Sequence, residues 1–160
     1  MRTHEYRTTV TWTGNSGTGT ASYRSYGRDH ELRAPDHPPV PGSADPAFLG
    51  DPARYSPEEL LVGALSSCHM LWYLHLCASA GVVVVAYTDH ARGEMVEHRN
   101  GAGEFERVLL QPQVKVAPPA DLELARELHR TAHGLCFIAR SVNFAVICRP
   151  ELELSSGPPG

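Results

Sequence analysis

The sequence predicts a chain of the α+β class, and three observations carry that expectation. Residues near the N-terminus alternate with β-branched and aromatic side chains, one long segment is a helix that is apolar on nearly every side, and a second, amphipathic helix lies between further strand-like runs. Residues 6–12 (Tyr-Arg-Thr-Thr-Val-Thr-Trp) form the first alternating run, and the Gly-Asn-Ser-Gly stretch at 14–17 turns it into residues 18–26, which reads as a β-hairpin. Residues 35–57 are rich in proline, glycine and aspartate and read as a long irregular loop, of the kind that inside a compact domain is a functional lid or disordered.

The long helix announces its start. Ser56 is a capping residue, Pro57 suits the first helical position, and Glu58 and Glu59 place negative charge in the first turn. The helix runs to about Ala80 and Gly81 ends it, which makes it roughly 35 Å long. A helix apolar all round must be buried. The other elements of a 160-residue protomer are hard pressed to cover one this long, so a homodimer is expected.

Beyond it, residues 82–87 read as a strand, 89–93 as a bend and 94–98 as a strand leading to a turn at 100–103. Residues 105–116 read as one further strand, with Leu109, Gln111 and Gln113 giving an imperfect register. Residues 121–133 form the second helix, with Leu122, Ala125, Leu128 and Ala132 on its apolar stripe and Gly134 as its C-cap. A last strand is expected at 142–148. The organisation is one domain over residues 1–154, followed by a flexible tail at 155–160, without internal repeats.

Composition narrows the function. A length of 160 residues with 42 % hydrophobic content supports one domain with a real core. A formal net charge of −4, from 14 basic and 18 acidic residues with no basic cluster, gives no footprint for nucleic acid. No apolar run follows Met1, so no secretory signal is read and a cytoplasmic location is expected. The longest apolar stretch, 70–85, is broken by His75, Ser79 and Gly81, which argues against a membrane span. Gly14, Gly17 and Gly19 lie in the expected hairpin with no helix after them, so no nucleotide cofactor is implied.

The four cysteines are where chemistry is expected. In a reducing compartment they are catalytic, metal-binding or merely buried. Cys68 and Cys77 lie on one helix nine residues and roughly 13 Å apart, on opposite faces, so they cannot pair. Cys77 and Cys148 are read as small core hydrophobes. Cys136 follows the expected break at Gly134 and is placed to open a new helical turn, whose free N–H groups favour a thiolate. Cys68, Trp72 and His75 share a helix face. Leu71, Trp72 and Phe137 are expected either to wall an apolar pocket for the organic part of a substrate or simply to pack. Two rival chemistries use the same residues: zinc held by His129, His133 and Cys136, and acyl transfer by Cys68 with His133 as base, for which no oxyanion turn accompanies Cys68.

Pro57-Glu58-Glu59-Leu60 followed by Cys68, with Ala132-His133-Gly134-Leu135-Cys136 downstream, resembles the OsmC/Ohr family of organic hydroperoxide reductases. The resemblance extends over nearly the whole chain, including the N-terminal hairpin and the Gly27-Arg28-Asp29 step. It implies an intertwined homodimer with antiparallel sheets around two long central helices and two active sites at the subunit interface. It also implies that the Cys68 thiolate attacks the peroxide to give an alcohol and a sulfenic acid, and that Cys136 condenses with that acid to a disulfide. An external dithiol or lipoyl-type reductant then resets the pair, with no bound cofactor and no metal. Arg28 takes the role of the cation that activates the thiol, held by a bidentate pair with Glu58. Glu58 lies ten residues, about 15 Å, before Cys68 on the same helix, so Arg28 and Glu58 are inferred to come from the partner subunit. Two positions depart from the family's usual pattern, His69 directly after Cys68 and Phe-Ile-Ala-Arg after Cys136, which leads us to expect a different preferred peroxide and a slower resolving step. The alternative function is an OsmC-like protein that binds small molecules and has lost efficient turnover.

Overall fold

The computed structural model describes residues 1–156 and divides at Leu60/Leu61 into two compact units. In the first unit, strands β1 (Thr9–Trp12), β2 (His30–Arg33) and β3 (Val40–Gly42) form an antiparallel sheet in that order, with Thr9 opposite Arg33 and Trp12 opposite His30. The partner of β1 is therefore β2 and not the expected strand at 18–26. The reason is local: the Asn15 side chain accepts from the backbone N–H groups of Gly17 and Gly19, both of which adopt positive φ, and this winds residues 15–19 into turns. The Trp12 indole N–H donates to the Gly27 carbonyl at 2.8 Å and brings the chain back beside β1.

The proline-rich stretch is ordered and not wholly irregular. It contains β3 and a single 3-10 turn, Pro46–Phe48, capped by Asp45. The Ser43 hydroxyl, fully buried, donates to Asp29 Oδ1 and accepts from the Asp51 N–H, each at 3.0 Å, and Arg54 pairs with Asp29 at 3.4 Å.

Helix α1 (Pro57–Ala80) begins where the sequence places it, with a reciprocal capping box: the Glu59 N–H donates to Ser56 Oγ and the Ser56 N–H to Glu59 Oε2. Gly81, at φ +74°, ends it in the left-handed region that glycine adopts without cost. Its buried residues are Leu65, His69, Tyr73 and Cys77, one every four positions.

The second unit holds two three-stranded sheets, ordered β4-β7-β9 and β5-β6-β8. Their strands are β4 (Val84–Asp89), β5 (Arg92–Glu97), β6 (Gly103–Leu110), β7 (Pro112–Val116), β8 (Ala145–Cys148) and β9 (Glu151–Leu154). The run expected as one strand at 105–116 is two, and it feeds both sheets. It breaks at Gln111, whose N–H donates to Asp89 Oδ1 at 2.7 Å instead of to a neighbouring strand, and Pro112 opens the next strand. Arg149 and Pro150 divide β8 from β9, so a strand follows the last one expected. The β4·β7 and β5·β6 pairs are antiparallel, whereas β6·β8 and β7·β9 are parallel. The fold is α+β, with mixed sheets in this unit.

Helix α2 (Leu122–Leu135) starts at Asp121, whose carboxylate accepts from the Glu123 and Leu124 N–H groups. It runs through Gly134, which corrects the expected cap: the helix ends at Leu135 and Cys136 is its C-cap. Tyr73 and Cys77 of α1 pack with Val82, Val114, Val116, Ala125, Leu128 and Ala132, while Leu65 packs with Val108 and Leu110. Cys77 is thus a core residue, as expected. Of the expected tail, Ser155 donates its N–H to the Val116 carbonyl, and residues 157–160 lie outside the described residues.

Candidate functional site

Cys68 sits in the middle of α1, partly exposed, and Cys136 caps the C-terminal end of α2 with only 1 % of its surface accessible. The fold brings them together: both are free thiols, and Cys68 lies near enough to act on the Cys136 thiol. Burial first, and the neighbouring Cys68 side chain second, push the Cys136 thiol up to about 11, while the N–H of Ala139, 3.4 Å from its sulfur, opposes the shift. The expected new turn at Cys136 is observed, since the Arg140 N–H donates to the Cys136 carbonyl at 3.0 Å, but the expected break at Gly134 is not. With α2 unbroken at Gly134, the residue lies at a carbonyl end, where a negative charge is disfavoured. Cys136 therefore stays a thiol at neutral pH.

Trp72, one turn after Cys68, meets Phe137, the residue after Cys136, edge to face at 5.5 Å between ring centres, and His75 edge to face at 5.9 Å. Phe137 is 65 % exposed and Leu71 62 % exposed, so in the single chain these apolar side chains are open rather than packed. Arg28 and Glu58 lie in the first unit. The Arg28 guanidinium donates to the backbone carbonyls of Tyr23 and Tyr26 and stacks on both rings, with its central carbon 4.5 and 4.1 Å from the ring centres. No ion pair joins it to Glu58 among the described residues.

His69, His129 and Cys148 form a second cluster that no spacing in the sequence marks. His69 Nε2 lies 3.0 Å from His129 Nδ1, and Cys148 Sγ lies 3.4 Å from the first nitrogen and 4.0 Å from the second. Cys148 is thus a polar partner and not the plain core hydrophobe expected of it. The expected zinc set is also corrected: His129 meets His69 and Cys148, whereas His133 and Cys136 stand outside the set. A sequence signal for this existed, since His69 and His129 each occupy a position on the buried stripe of their helix, where a histidine has to find a partner. Burial holds both imidazoles neutral, His69 lowered to about 4 and His129 to about 3.

The fold is α+β, with one free cysteine in the middle of α1 and a second at the end of α2. The chain belongs to the OsmC-like protein family, whose model matches residues 50–150. An OsmC-like protein of unknown function from Vibrio cholerae is 32 % identical, with 93 % of this chain and 100 % of that chain covered and a TM-score of 0.83. The fold also matches an organic hydroperoxide resistance protein from Elizabethkingia anophelis (18 % identity, 97 % and 100 % covered, TM-score 0.66) and the organic hydroperoxide resistance protein OhrB of Bacillus subtilis (16 %, 94 % and 98 %, 0.60). No curated protein matches the chain.

Proposed function

We propose that this protein is a homodimeric, cytoplasmic, dithiol-dependent peroxidase that reduces organic hydroperoxides, and hydrogen peroxide less well, in peroxide-stress defence. The observation that carries the proposal is the nearness of Cys136 to Cys68, two reduced cysteines from different parts of the chain whose thiols act on one another. In the first step the Cys68 thiolate attacks the terminal peroxide oxygen, the O–O bond breaks, and the alkoxide leaves and is protonated to the alcohol. Cys68 is now a sulfenic acid. Cys136 attacks its sulfur, forming the disulfide and releasing water, and a dithiol of the lipoyl type then exchanges with the disulfide and carries the oxidising equivalents away.

Trp72, Phe137 and Leu71 supply apolar surface for the organic group, and this supports an alkyl or aryl hydroperoxide over hydrogen peroxide. Arg28 and Glu58 of the partner subunit complete the site. Two of the five guanidinium N–H groups of Arg28 serve the turn at 23–26, which leaves three for a thiolate or peroxide oxygen. The test is peroxide consumption by reduced protein with a dithiol, comparing cumene hydroperoxide with hydrogen peroxide. Cys68→Ser is expected to lower turnover by roughly three orders of magnitude or more. Cys136→Ser is expected to react once and then accumulate sulfinic acid, read by mass spectrometry. Consumption no faster than by free cysteine sinks the enzymatic reading and leaves the small-molecule-binding alternative.

A further inference from the structure

The proposed peroxidase uses neither His69 nor His129 nor Cys148. They come from three separate elements, the buried stripe of α1, the buried face of α2 and the last residue of β8. Their Nε2, Nδ1 and Sγ atoms nevertheless converge, at 3.0, 3.4 and 4.0 Å from one another. Bonds of about 2.0–2.1 Å to nitrogen and 2.3 Å to sulfur at tetrahedral angles put ligand atoms roughly 3.3–3.6 Å apart, and the three observed separations bracket that range.

Proton counting argues that hydrogen bonding alone serves these atoms badly. Two neutral imidazoles carry one N–H each. If His69 Nε2–H donates to His129 Nδ1, then His69 Nε2 has no lone pair for the Cys148 S–H, which is left with the distant His129 nitrogen at 4.0 Å. If His69 Nε2 is the acceptor, its one lone pair is claimed by both neighbours. A cation at the centre takes all three lone pairs at once.

We propose that His69, His129 and Cys148 form a metal site for one divalent cation of the zinc class. The donor set of two imidazoles and one thiolate is that of a borderline cation and not of magnesium or calcium, which take oxygen ligands. Binding converts the Cys148 S–H to a thiolate and releases one proton per metal, so cation and thiolate together leave one positive charge. Asp89 is near enough to act on both His69 and Cys148, and it is held in place by Ser66 Oγ at 2.6 Å and the Gln111 N–H at 2.7 Å. Its carboxylate offsets that remaining charge. A pocket of about 380 Å³ bounded by His129 and Cys148 gives access from solvent, and Arg126 and Arg130 on its wall favour an anion or hydroxide as fourth ligand.

The experiment uses the full chain, reduced with a phosphine and stripped of metal, and titrates Co²⁺ as a spectroscopic stand-in for zinc. One equivalent is expected to give tetrahedral visible bands and a sulfur-to-cobalt charge-transfer band, displaced by Zn²⁺, with about one proton released. The charge-transfer band is expected to persist in the Cys68→Ser/Cys136→Ser double variant and to vanish in Cys148→Ser. Should Cys148→Ser fail to fold, zinc-edge absorption of the double variant decides, with one sulfur at about 2.3 Å and nitrogen neighbours at about 2.0–2.1 Å expected. The proposal is overturned if no saturable one-equivalent binding occurs, if the sulfur signature survives Cys148→Ser, or if it disappears in the double variant.

Discussion

A thiol at the end of one helix and a thiol in the middle of another are chemically different groups, and Cys136 shows how large the difference becomes. Raised to about 11 by burial and by the neighbouring Cys68, it is protonated wherever the unfolded chain's thiol, near 9, is protonated too. Below that value it leaves stability independent of pH. As pH climbs from 9 to 11 the unfolded thiol ionises while the folded one cannot, so the unfolded state binds fewer protons and stability falls. The loss expected from this one group is roughly 2 kcal/mol. Comparing urea midpoints of the metal-free wild type and Cys136→Ala at pH 8 and 11 isolates it: the wild type should lose more, and an equal loss in both removes the claim. Iodoacetamide at neutral pH should likewise modify Cys68 well before Cys136, read by peptide mass. The cysteine pair was legible from its motif because spacing and order survive without a structure. The partners of Cys148 were not, since residues 69, 129 and 148 meet only through tertiary packing.

At the scale of elements, α1 is the part of the fold the sequence states most completely. Cap, first turn and glycine stop are all local chemistry, and all three are observed where expected. Removing the cap by Ser56→Ala should cost about 1 kcal/mol in a denaturant titration. Gly81→Ala, which forces a Cβ into a φ of +74°, should also cost about 1 kcal/mol although open space surrounds it. Strand pairing is where local reading fails. The alternation at 6–12 correctly marks β1, yet its partner is set by an Asn15-centred turn and by Trp12 reaching Gly27. Alternation through 105–116 likewise cannot reveal that a side chain from β4, Asp89, takes the backbone donor at Gln111 and splits the run between two sheets.

For the whole molecule the question is what covers the apolar surface. An 18-residue window of α1 has a mean hydropathy of 1.4, yet only 22 % of it is buried in the single chain, so by length and composition this helix would suit a bilayer. The expected reading from 70–85 alone missed that, because the apolar window begins further upstream. Its polar side chains argue for protein as the cover: His69 is committed to His129, Ser66 to Asp89, and the capping glutamates open the helix. Leu71, Phe137, Val83 and Val85 are 62, 65, 50 and 43 % exposed, apolar side chains that association of two chains would cover. The homodimer we propose makes a linked prediction. Sedimentation should give twice the 17.5 kDa chain mass, and Leu71→Glu, which puts a charge on that surface, should weaken association at least about tenfold. If Arg28 reaches Cys68 only from the partner subunit, specific peroxidase activity of Leu71→Glu must fall on dilution in parallel with the dimer fraction and recover on concentration. A monomer that keeps full activity at every concentration would show that the site is complete within one chain, and flotation of the wild type with lipid vesicles would show that α1 is covered by membrane instead.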